Sequence, residues 1–412
     1  MPEREADVVI VGAGAAGLWA AGTLVARGRR VVVLEKTPRA GSKILASGGS
    51  RCNLTTTLGP DAAARLFGAG ERFAARSLRA LTPAAVRARF HELGVPTVEE
   101  QALEKVFPAS QRAVDVRDAL VRRARGADVR HGARVLEVRP EGGRWRVRTA
   151  EAEVVATSVI LSAGGRSYPA TGTTGDGYAW LEALGLCVVP TVPALVPVTS
   201  PAAWARELTG VAFQEVEARL LDAAGKVLGR RARPVVFTHT GLSGPGAMDL
   251  AAPIARAARA GAVDGWSIAL DLLPATPEDA LRAQLLAAVP GSAPLPRMLR
   301  GVIPPRVLAA VCAQAGVPGD VPPVHTLDRG RRNRLVDALK GLRVPVDGTL
   351  GWDKAEVTAG GLALEEVNPS TLEVRRHAGL YVVGELLDLH GPIGGLNFQA
   401  AFATAEVAAT RA

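Results

Sequence analysis

The most constraining feature of this 412-residue chain is the run VVIVGAGAAGLWAAGTLVARGRRVVVLEK, Val8 to Lys36. Two unbroken aliphatic runs flank a glycine turn and an alanine-rich stretch, which predicts a buried strand, a tight turn, a helix and a second buried strand. Gly12, Gly14 and Gly17 fall at the spacing of a dinucleotide fingerprint, directly after a strand and opening a helix, and Glu35 ends the next strand. Each residue has a physical task there. Gly12 permits the tight turn, Gly14 the close approach of a pyrophosphate, and Gly17 the packing of helix on strand. The helix N-terminus at Ala15 and Ala16 faces the phosphate charge, and Glu35 is placed to accept from ribose hydroxyls.

Such a fingerprint serves NAD and FAD alike, and three later features separate them. The loop GSKILASGGSRCNLT, Gly41 to Thr55, supplies backbone N–H groups, the paired Gly48 and Gly49, and the cations Lys43 and Arg51. These suit a pyrophosphate with a flavin ring beside it. The stretch from Thr37 to Thr57 is also too long for an ordinary connection. The strand TSVILSAGG ends at Ala163, Gly164 and Gly165, and the strand GLYVVGE ends at Gly384 and Glu385. A long dinucleotide lying extended across the domain is touched again at these two ends. Lastly, GPIGGLNFQAA sets a glycine turn, Gly394 and Gly395, ahead of a helix N-terminus at Leu396 and Asn397, whose positive end can stabilise negative charge on a reduced flavin.

Elsewhere the spacing predicts helices over Ala74–Leu93, Ala113–Arg125 and Asp176–Leu184, and strands over Arg134–Val138, Trp145–Thr149 and Glu153–Val155. Between about Val189 and Gly351 the style changes to proline-rich segments that alternate polar with apolar residues, as in VEARLLDAAGKVLGR and WSIALDLL. An inserted antiparallel sheet or small barrel is expected. Inside it Thr276 as N-cap and Pro277 at the first helical position open EDALRAQLLAAV, and helices follow over Val307–Ala315 and Asn333–Leu342. The chain then returns to its first style and closes with a helix over Asn397–Arg411. The expected fold is α/β, a discontinuous two-dinucleotide-binding-domain (Rossmann-type) FAD fold with an inserted β-barrel-like domain that carries a small helical subdomain. Its parts are residues 1–190, the first part of the FAD domain; 191–275, the inserted sheet; 276–342, the helical insert; 343–351, a return strand; and 352–412, the second part of the FAD domain.

The strings GSKILASGGSRCNLT, AGGRSYPATGTTGDGY, FTHTGLSGPG, VTAGG and GLYVVGELLDLHGPIGGLNFQAA, in that order, resemble the BaiN/YhiN-type family of FAD flavoproteins over essentially the whole chain. That family is similar, more distantly, to the flavoprotein subunits of fumarate reductase and succinate dehydrogenase. The resemblance implies FAD, and an oxidoreductase whose substrate it does not name. Carried over by position, it implies FAD contacts at Gly12, Ala15, Ala16, Glu35, Lys36, Lys43, Gly48, Arg51, Cys52, Asn53, Gly164, Gly384, Glu385 and Gly394–Asn397. Val135 stands where such folds touch the adenine through main-chain groups. Thr56 stands where the family pattern has Asn. The comparison with fumarate reductase calls for a cationic proton donor that no residue here supplies by its motif.

Candidates for catalysis are fewer. Cys52 lies in the flavin loop without a second cysteine at disulfide-reductase spacing. His239 precedes a Gly/Ser/Pro turn of the insert, and Asp388 and His390 precede the last glycine turn. Tyr168, Thr174 and Asp176 follow the second glycine strand, where substrate contact and plain turn chemistry fit equally. Hydride or electrons passing through flavin N5 between NAD(P)H, O₂ or a small organic molecule and a further acceptor is the expected activity. Composition narrows the partners. Three cysteines without a C-x-x-C pair indicate neither a disulfide framework nor a metal knuckle. A net charge of +9 leaves an RNA- or protein-binding flavoprotein as the alternative, but the basic residues are scattered and lack interleaved aromatics, which weighs against nucleic acid. The apolar runs are too short to span a membrane and no secretory leader is evident, so a cytoplasmic location is expected.

Overall fold

The computed structural model describes residues 3–100, 103–287, 289, 295–299, 301–317 and 323–412. It divides into two compact units, Met1–Pro193 with Trp352–Ala412, and Ala194–Gly351. In the first unit, strands Asp128–Arg130, Val31–Leu34, Glu3–Val11, Glu153–Leu161 and Leu380–Val382 lie side by side in that order, all parallel. All four residues of Val31–Leu34 are buried, as are Val8, Val9 and Ile10. Aliphatic runs without alternation need such a doubly covered sheet. Arg144–Thr149 and Val135–Glu141 extend the first half of Glu153–Leu161 as an antiparallel meander. Here the pattern does alternate. Trp145, Val147 and Thr149 are buried, while Arg146 pairs with Glu141 and Glu153, and Arg148 with Glu137.

Two expectations change at this level. Glu153–Val155 and the strand after it are one nine-residue strand, Glu153–Leu161, because EVVATSVIL contains no turn residue to break it. The single helix expected over Ala74–Leu93 is two, Glu71–Ala80 and Pro83–Glu92. Pro83 cannot continue a helix from the preceding turn but suits the start of one. Thr82 caps that start by accepting from the Ala85 N–H at 3.1 Å.

The fingerprint helix Ala15–Ala26 packs on the C-terminal helix Leu396–Ala409. Trp19, Phe90 and Phe402 meet between them, with ring centroids 4.8 to 6.0 Å apart. Arg123 closes this core by donating to the Trp19 carbonyl and Thr23 Oγ1, and Glu406 accepts from Trp19 Nε1 at 2.7 Å. Burial lowers the Arg123 pKa to about 10, so it stays cationic at neutral pH. Gly384 is inserted where the two helices begin to converge. A Cβ on it would lie 3.2 Å from that of Ala16 and 3.8 Å from that of Ala401.

The second unit holds two antiparallel sheets. One orders Ala212–Phe213, Val235–Thr238, Gly241–Ser243, Val198–Thr199 and Gly348–Thr349; the other orders Val227–Ala232, Glu217–Leu221, Ser267–Asp271 and Leu342–Pro345. The helices Glu278–Leu286, Pro305–Gln314 and Arg329–Lys340 belong to the same unit. Pro277, with ψ of 142°, is extended and forms the cap, so the helix opens one residue later than Thr276 as N-cap requires. Ala288, residues 290–294, residue 300 and residues 318–322 of the expected helical insert lie outside the described residues. Among the described residues, no helix is long and apolar enough to cross a membrane.

Candidate cofactor site

At the fingerprint turn the three glycines are required for different reasons. Gly12 has φ of +100°, and a Cβ there would come within 2.6 Å of the Ser162 carbonyl. At Gly17 a Cβ would stand 1.9 Å from the Gly12 oxygen. Both are demanded by the chain's own packing. At Gly14 a Cβ would meet no protein atom within 4 Å, so the space beside it is left open by the fold. Glu35 is oriented from both sides: its Oε2 accepts from the Ala13 N–H at 2.7 Å, and its Oε1 accepts from the Thr37 N–H at 2.8 Å and the Thr37 hydroxyl at 2.7 Å. Ala133 N–H donates to the Glu35 carbonyl at 2.9 Å, which brings the buried strand start at Val135 beside it.

The loop after the second strand is wound left-handed. Gly48, Gly49, Ser50 and Cys52 have φ of 54°, 66°, 66° and 61°. In the two non-glycine residues this conformation costs of order 1 kcal/mol each. The loop is held in it by a small sheet, where Leu54 N–H donates to Val106 O at 2.9 Å and Asn53 Oδ1 accepts from Val106 N–H at 3.2 Å. Again the space beside one glycine, Gly49, is open. Arg51 turns its guanidinium to Glu100 and Gln111 and lies 4.0 Å over the Phe107 ring. Thr56 is buried and donates to Glu104 O at 2.9 Å.

The C-terminal turn meets this loop. A Cβ at Gly395, whose φ is +81°, would come within 2.1 Å of the Thr55 carbonyl. Asn397 exchanges two 2.9 Å hydrogen bonds with the Gly391 backbone, closing the turn Gly391–Gly395 onto the helix start at Leu396. Thr55 Oγ1 donates to Gln399 Oε1 at 2.6 Å, and Gln399 in turn donates to Leu81 O. On the other side Lys43 Nζ donates to Ser167 Oγ at 2.5 Å and to Glu385 Oε2 at 2.6 Å. Glu385 Oε1 also accepts from Ser167 Oγ and from the Thr358 N–H. Lys43 therefore has one N–H beyond these two bonds. The sequence did not single out Ser167 or Thr358. Their only signal is a hydroxyl residue within a buried apolar strand, VTAGGL, and another just after a glycine pair.

Residues 6–411 match the family described as HI0933-like protein Rossmann domain. The chain belongs to that family. HI0933-like proteins of the BaiN/YhiN type are FAD flavoproteins, as the motif strings imply. A protein of Escherichia coli (strain K12) named ribosomal RNA dihydrouridine synthase is 29% identical over 401 residues, which cover 97% of this chain and 96% of that protein. One of Clostridium scindens (strain ATCC 35704) named 3-dehydro-bile acid delta(4,6)-reductase is 30% identical over 410 residues, covering 97% of each. The solved structure of 3-ketosteroid-delta4-(5alpha)-dehydrogenase from Rhodococcus jostii RHA1 superposes with a TM-score of 0.52 at 14% identity, over 99% of this chain and 97% of that one. At that identity the likeness is one of fold.

The residues present in this HI0933-like chain fit FAD. The two open glycine spaces, the anchored Glu35 and the spare N–H of Lys43 are what an extended pyrophosphate and its ribose require. The catalytic candidates are scattered. Cys52 is fully buried and burial pushes its thiol up to about 12, against a small opposing effect of Ser47, so at neutral pH it is the unreactive protonated form. His239 occupies the exposed hairpin turn between Val235–Thr238 and Gly241–Ser243 in the second unit. Asp388 accepts from the Gly360 N–H at 3.0 Å, and half-buried His390 follows two residues on. The basic run Arg329–Arg334 serves the insert itself. Arg332 donates to the Leu327 and His325 carbonyls, Arg334 to that of Ala315, and Arg331 pairs with Asp328.

Proposed function

We propose that this flavoprotein takes a hydride from NAD(P)H or a small organic donor and delivers it to a carbon–carbon double bond conjugated to a carbonyl in a small-molecule acceptor. Bound FAD supplies the two-electron chemistry at flavin N5. The chain's part is to hold and orient it. Glu35 would accept from the ribose hydroxyls, the open face at Gly14 and the helix start at Ala15–Ala16 would hold the pyrophosphate, and Lys43 would offer its remaining N–H to the cofactor. The turn before Leu396 sets a helix N-terminus that would stabilise negative charge on a reduced flavin held beside it. The observation that carries the cofactor half is the open helix start at Gly14 beside Glu35, whose carboxylate the Ala13 and Thr37 N–H groups hold in place.

The acceptor class rests on the relatives' names. Dihydrouridine formation and delta(4,6) reduction of a 3-oxo steroid both saturate a double bond conjugated to a carbonyl. Anaerobic stopped-flow mixing of the holoprotein with NADH and with NADPH, followed by an enone series, tests both halves. Bleaching of the flavin by one nucleotide and its recovery on adding an enone is the expected result. A flavin that neither nucleotide reduces refutes NAD(P)H as the donor; a reduced flavin that no enone reoxidises refutes the acceptor.

A second reading is favoured by the net charge of +9 together with the Escherichia coli relative's name. In it the partner is RNA, either as the bearer of the reducible base or as the ligand of a module in which the flavin is structural or sensory. Steep loss of RNA affinity between low and high salt, with preference for one RNA, would support it.

A further inference from the structure

Residues 164–176 are the segment in which Tyr168, Thr174 and Asp176 suit substrate contact and turn chemistry equally, and their geometry points to a third role. Both ends of the segment are built in. Arg166 and Ser167 N–H groups donate to Thr358 Oγ1 at 2.8 and 3.3 Å, and Tyr168 N–H donates to Trp352 O at 3.0 Å. At the far end Asp176 opens the helix Asp176–Ala183, and Gly177 packs on Leu386 and Ala163. Between them the chain arches to the end of the strand Val31–Leu34. Gly172 lies against Thr37, whose Cγ2 would be 2.5 Å from a Cβ there. Lys36 Nζ donates to Thr174 Oγ1 at 2.5 Å and to Asp176 Oδ2 at 2.8 Å, and Arg134 stands 3.3 Å from the other carboxylate oxygen. The arch thus touches down on Lys36 and Thr37, the two residues after Glu35, and Thr37 itself orients the Glu35 carboxylate. Gly164, Gly172 and Gly175 have φ of 73°, 100° and 80°, a left-handed conformation that favours glycine and lets the segment arch.

We propose that residues 168–175 form a strap over the adenosine end of the FAD site, latched by Lys36, which holds Thr174 within the strap and pairs with Asp176 at its foot, and that opening the latch sets the rate at which FAD leaves. The inference rests on the cofactor reading above. It assigns Lys36 a partner within the chain, where the family resemblance implies a direct contact with FAD. The two assignments differ in what a second mutation does.

The test uses the FAD-loaded full chain and follows release as the rise of flavin fluorescence on dilution, in the wild type, Lys36→Met, Asp176→Asn and the double variant. Asp7→Asn, which breaks the exposed Arg30–Asp7 pair, serves as control. Each single variant should release FAD about tenfold faster, a change equivalent to about 1.4 kcal/mol. The double should be no faster than either single, because one pair can be broken once. The charge-swapped Lys36→Asp/Asp176→Lys protein should recover slow release. Acceleration by Lys36→Met alone, or a double that multiplies the two effects, means that Lys36 holds FAD directly and overturns the latch. Equal acceleration by Asp7→Asn means general loosening and overturns it too. A wild type that takes up no FAD overturns the cofactor reading as well, whereas variants that release FAD at the wild-type rate overturn the latch alone.

Discussion

Two lysines show how differently the two units use charge. Lys340, in the second unit, donates to Asp271 Oδ2 at 2.7 Å and to the carbonyls of Leu273 and Thr276 at 2.8 Å each. Its three donors are used. Lys43, in the first unit, gives two bonds to Ser167 and Glu385 and keeps a third N–H. Glycines divide in the same way: Gly17 is glycine because its own chain leaves no room, and Gly14 is glycine although its chain leaves room to spare. A group that the fold satisfies completely is there for the fold. On the cofactor reading proposed above, one left open beside the helix start at Ala15 is there for a ligand.

The sharpest way to break this comparison is at the glycines. Gly17→Ala puts a Cβ 1.9 Å from a backbone oxygen that cannot retreat, and should destabilise the protein by about 3 kcal/mol or more, the upper range for overpacking. Gly14→Ala should leave the thermal midpoint of the apoprotein within a degree or two, by the small cost of a compatible surface change, while FAD retention falls. Calorimetry of the apoproteins with flavin content after gel filtration reads both effects. Equal loss of stability in the two variants would erase the distinction.

Next in size is Lys340→Met. Removing one partner of a mostly buried pair strands Asp271, which costs about 3 kcal/mol. Flavin content per folded molecule should be unchanged. Lys43→Met should do the reverse. It should weaken FAD binding about tenfold to a hundredfold, the equivalent of the 1.5 to 3 kcal/mol of a hydrogen bond to a charged group, with a smaller effect on the apoprotein. Equilibrium dialysis of FAD against urea titrations of the same samples separates the two outcomes.

The contrast also explains what could be seen in the residues alone. The fingerprint and the parallel sheet were legible because each depends on a run within one short segment: aliphatic residues without alternation, glycines at fixed offsets, an acid at a strand end. The joining of Lys43 and Glu385 to Ser167 and Thr358 was not, because the four are brought together over separations of 27 to 342 residues, and neither hydroxyl residue carries a local pattern that points to the others. Arg51 shows the same limit from another side. A cation in a glycine loop reads as a phosphate ligand, and nothing in the loop shows that its guanidinium also reaches Glu100 and Gln111. The carbonyls that Arg332 and Arg334 meet, at the ends of neighbouring helices, likewise leave no local trace in sequence.

The smallest expected effect concerns the thiols. Cys187 is exposed, and Cys52 and Cys312 are buried. A thiol reagent at neutral pH should modify Cys187 quickly and the other two only as fast as the protein opens. Burial raises the Cys52 pKa from 9.0 to about 12, so the folded state holds this proton more tightly than the unfolded chain does. The resulting stability is fully present below pH 9 and is lost as the pH rises from 9 toward 12. The thermal midpoint should therefore fall over that range, and Cys52→Ala should flatten the fall while leaving the neutral-pH reactivity of Cys187 untouched. Rapid labelling of Cys52 in the folded protein at neutral pH would show instead that the flavin loop opens to solvent, and Cys52 would then belong with the groups the fold leaves free.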